Sequence, residues 1–333
     1  MDKITLSYGS GGRLMHGLID SLFMKELGND ILRQKKDSAV VNIGNSKIAF
    51  TTDSYVVSPI FFPGGDIGSL AVYGTVNDLS VCGAKPLFIS LGLIIEEGLD
   101  KKVLRSITLS IKKAAKASGV KIVTGDTKVV GRGACDKIFI NTSGVGEIYY
   151  DALSIENIKT GDKIIVSGSI GDHAISVLSK REGLDFGTNV LSDSAPLNGI
   201  IKKVLSSSEK IRFMRDPTRG GLATTLNEIT AKRKFGIIIE EKSIPISPGV
   251  RDACELLGFD PLYLACEGRF VCIVAPQDAQ KILQVIRKYA SGKSVSIIGT
   301  VTEDHKGKVC LKTISGGIRV ADMLSGEQLP RIC

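Results

Sequence analysis

Strand-length apolar runs alternate along this chain with segments whose apolar residues recur at helical spacing, and that interleaving restricts it to a layered α/β or α+β fold. Residues 13–27 place Leu14, Leu18, Leu22 and Phe23 near helical spacing, and residues 66–82 do the same with Leu70, Tyr73, Val76 and Leu79. Between them, AVVNIGNSKIAFTTDS predicts two strands joined by a Gly-Asn turn. PLFISLGLII predicts a buried strand, Lys101–Ser118 a third helix ending at Gly119, and KIVTGDT and KIFINTSGVGEIY further strands. In the second half, helices are predicted at 171–182, 197–206, 220–234 and 276–290, with strands at 163–168, 236–241, 269–275 and 294–303. The 333 residues are about twice the ~150 of a usual single domain, and a polar connection at 151–162 divides them. The expected units are therefore 1–150, 151–324 and a mobile tail, 325–333, whose SGEQLPRIC lacks a core pattern.

Composition excludes several classes of function. The longest apolar runs, such as Leu87–Ile95, fall short of the ~20 residues that span a bilayer, and MDKITLSYGSGGR holds no apolar signal core. A cytoplasmic protein with no membrane contact is the expectation. Seven dispersed cysteines without a C-x-x-C pair form neither a disulfide framework nor a zinc site. The net charge of +8 is spread along the chain, in short clusters such as Lys112-Lys113-Lys116 and Lys232-Arg233-Lys234 with no aromatic residue interleaved. That pattern suits solvated helix faces and disfavours a nucleic-acid surface. No Walker A loop, G-x-S-x-G elbow or H-E-x-x-H motif is present, and three histidines leave little for imidazole-based metal chemistry.

What the chain does carry is a set of aspartates in Gly- and Thr-rich settings: Asp37, Asp53 (TTDS), Asp78 (TVNDLS), Asp126 (TGDTK) and Asp216 (RDPTRGG). Asp53 and Asp126 follow apolar runs and are expected at strand ends, whereas Asp78 falls inside an apolar helix, where an unpaired carboxylate is expensive. Each alone suits a turn or helix cap; together they suit Mg²⁺ held jointly with phosphate oxygens. The glycines of YGSGG (8–12) precede a helix beginning near Arg13, so they serve either as a phosphate cradle or as a flexible linker. RDPTRGG (215–221) offers a second such place, with Arg219 able to contact phosphate in bidentate fashion. Cys333 is the last residue, a position that does not suit a core cysteine; Arg331 would favour its thiolate and the terminal carboxylate would oppose it.

SYGSGG, FTTDSYVVSPIFFPGGDIGSLAVYGTVNDLSVCGAKP, IVTGDTKVV, INTSGVGE, SGSIGDHA, RDPTRGGL and the terminal PRIC together resemble the HypE family of hydrogenase maturation proteins. The resemblance covers essentially the whole chain. Its middle motifs are shared with the wider superfamily of aminoimidazole ribonucleotide synthetase, selenophosphate synthetase and thiamine-monophosphate kinase. PRIC and GDTKVV single out HypE within it.

The resemblance implies a two-lobed α/β (α+β) chain whose N-terminal domain forms a barrel across a homodimer. It implies ATP bound beside Gly9, Ser10, Gly11 and Gly12, with Asp53, Asp78, Asp126, Thr127, Asp216, Arg219 and Gly220 also contacting nucleotide. Asp37, Asp53, Asp78 and Asp216 would hold Mg²⁺. The implied reaction is ATP-dependent dehydration of a carbamoyl group on Cys333 to a thiocyanate, which supplies cyanide ligands for nickel–iron hydrogenase. Asp126 and Lys128 would be further polyphosphate or catalytic contacts. Glu267, in ACEGRF, is the first candidate for the general base and His173, in GDHA, the second. The implied partners are the carbamoyltransferase HypF and a HypC–HypD scaffold complex. One departure stands out: the family often has Asn before the Glu-Gly pair, where this chain has Cys266. Two rivals are a small-molecule ATP-dependent synthetase or kinase, which needs no terminal thiol, and a non-enzymatic docking protein that uses the tail as a handle.

Overall fold

The computed structural model describes residues 3–184, 190–324, 326, 329 and 331–333. After a short 3-10 helix at Leu6–Gly9 come α1 (Arg13–Leu18), a π-helical turn (Ile19–Phe23) and α2 (Met24–Leu27), which together make the helical run expected at 13–27. The N-terminal lobe follows, with strands β1 (Ala39–Ile43), β2 (Ser46–Tyr55), the short β3 (Phe61–Phe62) and β4 (Gly65–Asp66), β5 (Ala84–Glu96), β6 (Lys121–Val130) and β7 (Ile138–Ile148). Helices α3 (Ile67–Val81) and α4 (Lys101–Ser118) complete it. Its main sheet runs β1-β2-β7-β5-β6, antiparallel except for the β5–β6 pair. That parallel pair needs a crossover, and α4 supplies it.

Helix α3 lies between this sheet and the rest of the molecule and is buried almost all round. Asp66 caps it in a reciprocal box with Ser69, which fixes where the helix starts. Because side chains alternate across a strand, Thr51, Asp53 and Tyr55 of β2 share the face turned toward α3. Among the described residues the opposite face is largely uncovered, and there Phe50 and Phe88 flank Val145 in one cross-strand row. The buried strand predicted from PLFISLGLII is thus only half buried: Phe88 and Ile94 are exposed on the open face.

The C-terminal lobe is a seven-stranded sheet with order β14-β13-β10-β12-β8-β11-β9. Its strands are β8 (Lys163–Val166), β9 (Ile211–Arg215), β10 (Gly236–Glu240), β11 (Val271–Val274), β12 (Ser296–Thr302), β13 (Val309–Lys312) and β14 (Ile318–Val320). On it pack α6 (Asn198–Leu205), α7 (Gly221–Thr230) and α9 (Pro276–Arg287), whereas α5 (Asp172–Glu182) and α8 (Pro248–Leu257) turn their apolar residues into the core shared with the N-terminal lobe. The expected helix at 220–234 stops at Thr230, where Ala231 turns extended and Lys232 takes a left-handed φ of 59°. Among the described residues, no helix is long and apolar enough to cross a membrane.

Candidate active site

The two lobes meet over a cluster of acids. Asp53 comes from the C-terminal end of β2, two residues before it stops, as expected, and Asp78 reaches it from α3; Asp126, expected at a strand end too, lies in the middle of β6. Thr51 Oγ1 donates to Asp78 Oδ2 at 2.9 Å, and the Tyr55 hydroxyl donates to Asp53 Oδ2 at 3.5 Å. Tyr55 fits only because residue 74 is glycine; a Cβ there would meet its hydroxyl at 2.1 Å. From the other lobe, Asp216 follows β9, and Arg219 and Gly220 lead into α7. Asp37 stands just before β1 and pairs with Arg215 Nε at 3.0 Å. Arg215 also holds Glu228 at 3.0 Å, and Glu228 holds His16 Nε2 at 2.8 Å.

Burial makes this carboxylate cluster costly in the protein alone. Desolvation pushes Asp37 up to about 6, with Glu228 and Asp53 adding and Arg215 opposing. It pushes Asp216 up to about 8, with Asp37 adding and Arg215 opposing. Burial and mutual repulsion also raise Asp78 well above the ordinary range, and burial raises Asp53. A hard divalent cation would relieve the clash, and carboxylate oxygens are the donors it takes. No three acids, histidines or cysteines among the described residues stand close enough to form a ready metal centre. The donor set therefore fits Mg²⁺ only as a site completed by phosphate oxygens. A cleft of about 420 Å³ lined by Gly11, Asp37, Asp53, Asp78, Asp216 and Arg219 offers room for them.

Behind the cluster lies a smaller cavity of about 50 Å³, lined by Asp53, Tyr55, Asp78, Asp216, Arg219, Glu267 and Cys333. Glu267 is 4% exposed, and its Oε1 has no hydrogen-bond partner. Burial drives its carboxyl well above the usual 4.5; Asp216, Asp193 and Asp53 add to the rise and Arg219 opposes it. Its backbone is clamped: Glu267 N donates to Asp193 Oδ1 at 3.2 Å, Gly268 N to Asp193 Oδ2 at 3.3 Å, and Asn77 Nδ2 to Glu267 O at 3.2 Å. A Cβ at residue 268 would meet Asp193 O at 1.7 Å, so only glycine follows the acid. Cys266 does not orient Glu267. Its sulfur sits in the C-terminal core and accepts from Gly171 N at 3.3 Å.

The tail enters this cavity instead of standing free. Ser58 N donates to Arg331 O at 3.3 Å and Val56 N to Cys333 O at 3.2 Å, so the tail runs antiparallel beside the segment leaving β2. Ile332 is 6% exposed within a core shared by the two lobes, which holds Val57 and Ile60 as well as Ala174 and Leu264. Ile332, with Leu329 and Cys333 packed beside it, and backbone pairing achieve what the composition of 325–333 did not suggest; Ser325, Glu327, Gln328 and Pro330 lie outside the described residues. Burial pushes the Cys333 thiol up to about 12, with Glu267 and Asp53 adding and Arg219 opposing. The cation facing this thiol is Arg219, whereas Arg331 turns away to Asp136 at 2.8 Å and to Val56 O at 3.0 Å.

Asp37, Asp53, Asp78, Asp216, Arg219, Glu267 and Cys333 thus converge on one connected cleft. Gly9, Ser10 and Gly220 line its third chamber beside the tail, Gly11 packs on Arg219, and Gly12 packs under Leu324 O. His173 stands behind the tail, fully buried. Its Nε2 donates to Ile332 O at 2.9 Å, which leaves Nδ1 to accept from Ser192 Oγ at 2.8 Å. Burial lowers its pKa, only partly opposed by Asp193. A neutral ring with both nitrogens engaged holds the tail and is not placed as a base. Asp126, Thr127 and Lys128 do not join the cleft within one chain. They lie inside β6, where Asp126 and Lys128 are exposed and pair with each other at 3.0 Å. Sequence reasoning missed Tyr55, Asn77, Asp193, Arg215, Glu228 and His16 as parts of the site. Asn77 carried a signal as a polar residue beside Asp78 in an apolar helix, and Arg215 and Tyr55 stood inside the quoted RDPTRGG and TTDSY segments.

Comparison with known proteins places the chain in a family. Residues 35–148 match the N-terminal domain of AIR synthase related proteins and residues 159–312 match their C-terminal domain. A carbamoyl dehydratase HypE of Rhizobium leguminosarum bv. viciae is 48% identical over 334 residues, spanning 99% of this chain and 95% of that protein. The crystal structure of a hydrogenase maturation protein HypE in complex with ATP has 49% identity and a TM-score of 0.83, covering 99% of this chain and all of that one. HypE in a HypE–HypF complex gives 47% identity and a TM-score of 0.87, covering 92% and 99%. The chain belongs to the AIR synthase related proteins and, within them, to the HypE carbamoyl dehydratases.

Proposed function

We propose that this chain dehydrates an S-carbamoyl group on its own Cys333 to a thiocyanate, using ATP, and so supplies cyanide ligands for nickel–iron hydrogenase. The observation that carries this reading is the shared cavity: the terminal thiol, a buried carboxyl without a partner and the acid cluster face one another. A carbamoyltransferase of the HypF type would place the carbamoyl group on the sulfur, and a HypC–HypD scaffold would receive the product. A cytoplasmic setting follows from those partners.

The chemistry divides into two balanced steps. The carbamoyl oxygen attacks the γ-phosphorus of ATP and ADP leaves, which turns a poor leaving group into phosphate. Phosphate then departs with both nitrogen protons removed, leaving S–C≡N. Mg²⁺ held by Asp37, Asp53, Asp78 and Asp216 would offset charge on the transferring phosphoryl group. Arg219 lies between tail and cleft, where its guanidinium can hold phosphate oxygens in bidentate fashion. Gly9, Ser10, Gly11, Gly12 and Gly220 close over the phosphates. Glu267, a strong base once ionised because its burial raises its pKa, takes a proton from the carbamoyl nitrogen. His173 holds Ile332 and thereby aims the sulfur.

The reading includes a homodimer. Strand β6 is an edge strand exposed along nearly its whole length, with Ile122, Val123 and Val129 outward, and the neighbouring sheet face bears Phe50, Phe88 and Ile94. An unprotected edge beside an apolar sheet face is a pairing surface. Closing it against a second copy would complete a barrel and bring Asp126, Thr127 and Lys128 toward a neighbouring site. The test is phosphate release with Mg-ATP. Carbamoylated protein is expected to release one phosphate per Cys333, and unmodified protein and Cys333→Ala none. ATP bound without phosphate release would support a docking protein, and turnover undiminished in Cys333→Ala would support a small-molecule synthetase or kinase.

A further inference from the structure

The contacts that seat the tail form a separable recognition site. Two backbone amides, Val56 N and Ser58 N, receive Cys333 O and Arg331 O in an antiparallel strand addition. Arg181 spans both strands, donating from Nε to Ser58 O and from Nη2 to Arg331 O, each at 2.7 Å. The Arg331 side chain has its own pocket, built from Asp136 at 2.8 Å, Val56 O at 3.0 Å and the Phe139 ring 5.9 Å below the guanidinium. Ile332 enters an apolar pocket, with His173 Nε2 on its carbonyl. Backbone pairing with alternate side-chain pockets is how sheet edges read peptides. None of these contacts uses the covalent link between residue 329 and the rest of the chain.

We propose that this cleft is a peptide-binding site that reads the C-terminal Arg-Ile-Cys sequence of a second copy of this chain, presented in trans. The chain's own tail is its resident ligand and holds it by tethering. A tethered segment acts at an effective concentration on the order of millimolar, so an untethered peptide competes poorly until the resident tail is weakened. Binding rests on geometry alone; turnover of a bound S-carbamoyl peptide rests on the dehydratase reading.

The test uses the full chain with Arg331→Ala, Ile332→Ala and Cys333→Ala, checked for an intact thermal transition. The probe is a fluorescent Leu-Pro-Arg-Ile-Cys peptide followed by anisotropy. Saturable binding is expected, at least ~10-fold tighter to this variant than to the unaltered chain, whose tail competes. Replacing Arg or Ile in the peptide, or introducing Asp136→Asn in the protein, is expected to weaken binding about tenfold, as loss of a charge-assisted bond or an apolar anchor does. No saturable binding to the folded variant, or equal binding of the Arg→Ala and Ile→Ala peptides, overturns the proposal. Peptide binding without ATP-dependent water loss from its S-carbamoyl form overturns the dehydratase reading and leaves the peptide site standing.

Discussion

Truncating Ile332 to alanine separates docking of the tail from folding of the lobes. The Ile332 side chain is buried in the core shared by the two lobes, and removing comparable side chains from fixed cores costs ~2–5 kcal/mol. A tail can leave its pocket where a core strand cannot, so the loss falls on the docked state. Taking ~2 kcal/mol, the docking equilibrium falls about 30-fold. Thiol alkylation reads this directly. The docked thiol is pushed from the ordinary 9.0 up to about 12, so at neutral pH its thiolate is scarcer than that of a free tail by about a thousandfold. Labelling therefore proceeds through the undocked tail, and its rate follows the undocked population. Ile332→Ala is expected to label Cys333 about 30-fold faster near pH 7.5 while the lobes keep their thermal transition. Because docking raises this acid's pKa, its contribution is complete below pH 9 and is lost as pH rises from 9 toward 12. Equal labelling rates for the two proteins would refute the docked tail as an account of the molecule in solution.

Other expectations follow from the same site. Glu267→Gln keeps the shape but removes the base, and is expected to slow ATP-dependent water loss by ~10²–10⁴-fold in single-turnover mass spectrometry while leaving the carbamoyl adduct in place. The raised pKa values of Asp37, about 6, and Asp216, about 8, mean that the folded protein without Mg-ATP binds more protons than the unfolded chain. Its stability is expected to be fullest below pH 4 as far as these groups are concerned and to fall as pH rises through 6 and 8. Mg-ATP should flatten that fall in thermal melts. Lys128→Ala, at an exposed position, is expected to leave stability within ~0.5 kcal/mol. If Lys128 serves the neighbouring site, mixing Lys128→Ala with Glu267→Gln protomers restores one working site per mixed dimer; no restoration would place its role elsewhere.

Much of this was legible from the chain. The β1–β2 hairpin, α3 and α4 follow from turn chemistry and apolar period, and the acids of β2, α3 and the 215–221 turn stand out because carboxylates in apolar surroundings need a reason. Helix α8 was missed although Val250, Ala253, Cys254 and Leu257 hold helical spacing and Gly258 ends it. What sequence could not show is long-range. Nothing in PLFISLGLII tells which sheet face lacks a cover, and nothing near Asp37 names Arg215 as its partner 178 positions on (215 − 37). The tail is the sharpest case. A few apolar side chains, Ile332 foremost, and a backbone pairing register seat it, and a composition reading weighs neither. Arg331 is adjacent to Cys333 by one residue but turned away from it, whereas Arg219, 114 positions earlier (333 − 219), faces the sulfur.

The central claim is that Cys333 carries the group that is dehydrated. Its most direct test is peptide mass spectrometry of the C-terminal fragment after incubation with a HypF-type carbamoyltransferase, carbamoyl phosphate and Mg-ATP, with Cys333→Ala as control. The account predicts a carbamoyl adduct on Cys333 that loses one water only when ATP is hydrolysed. An unmodified Cys333, under conditions where the transferase modifies a known acceptor, would contradict it.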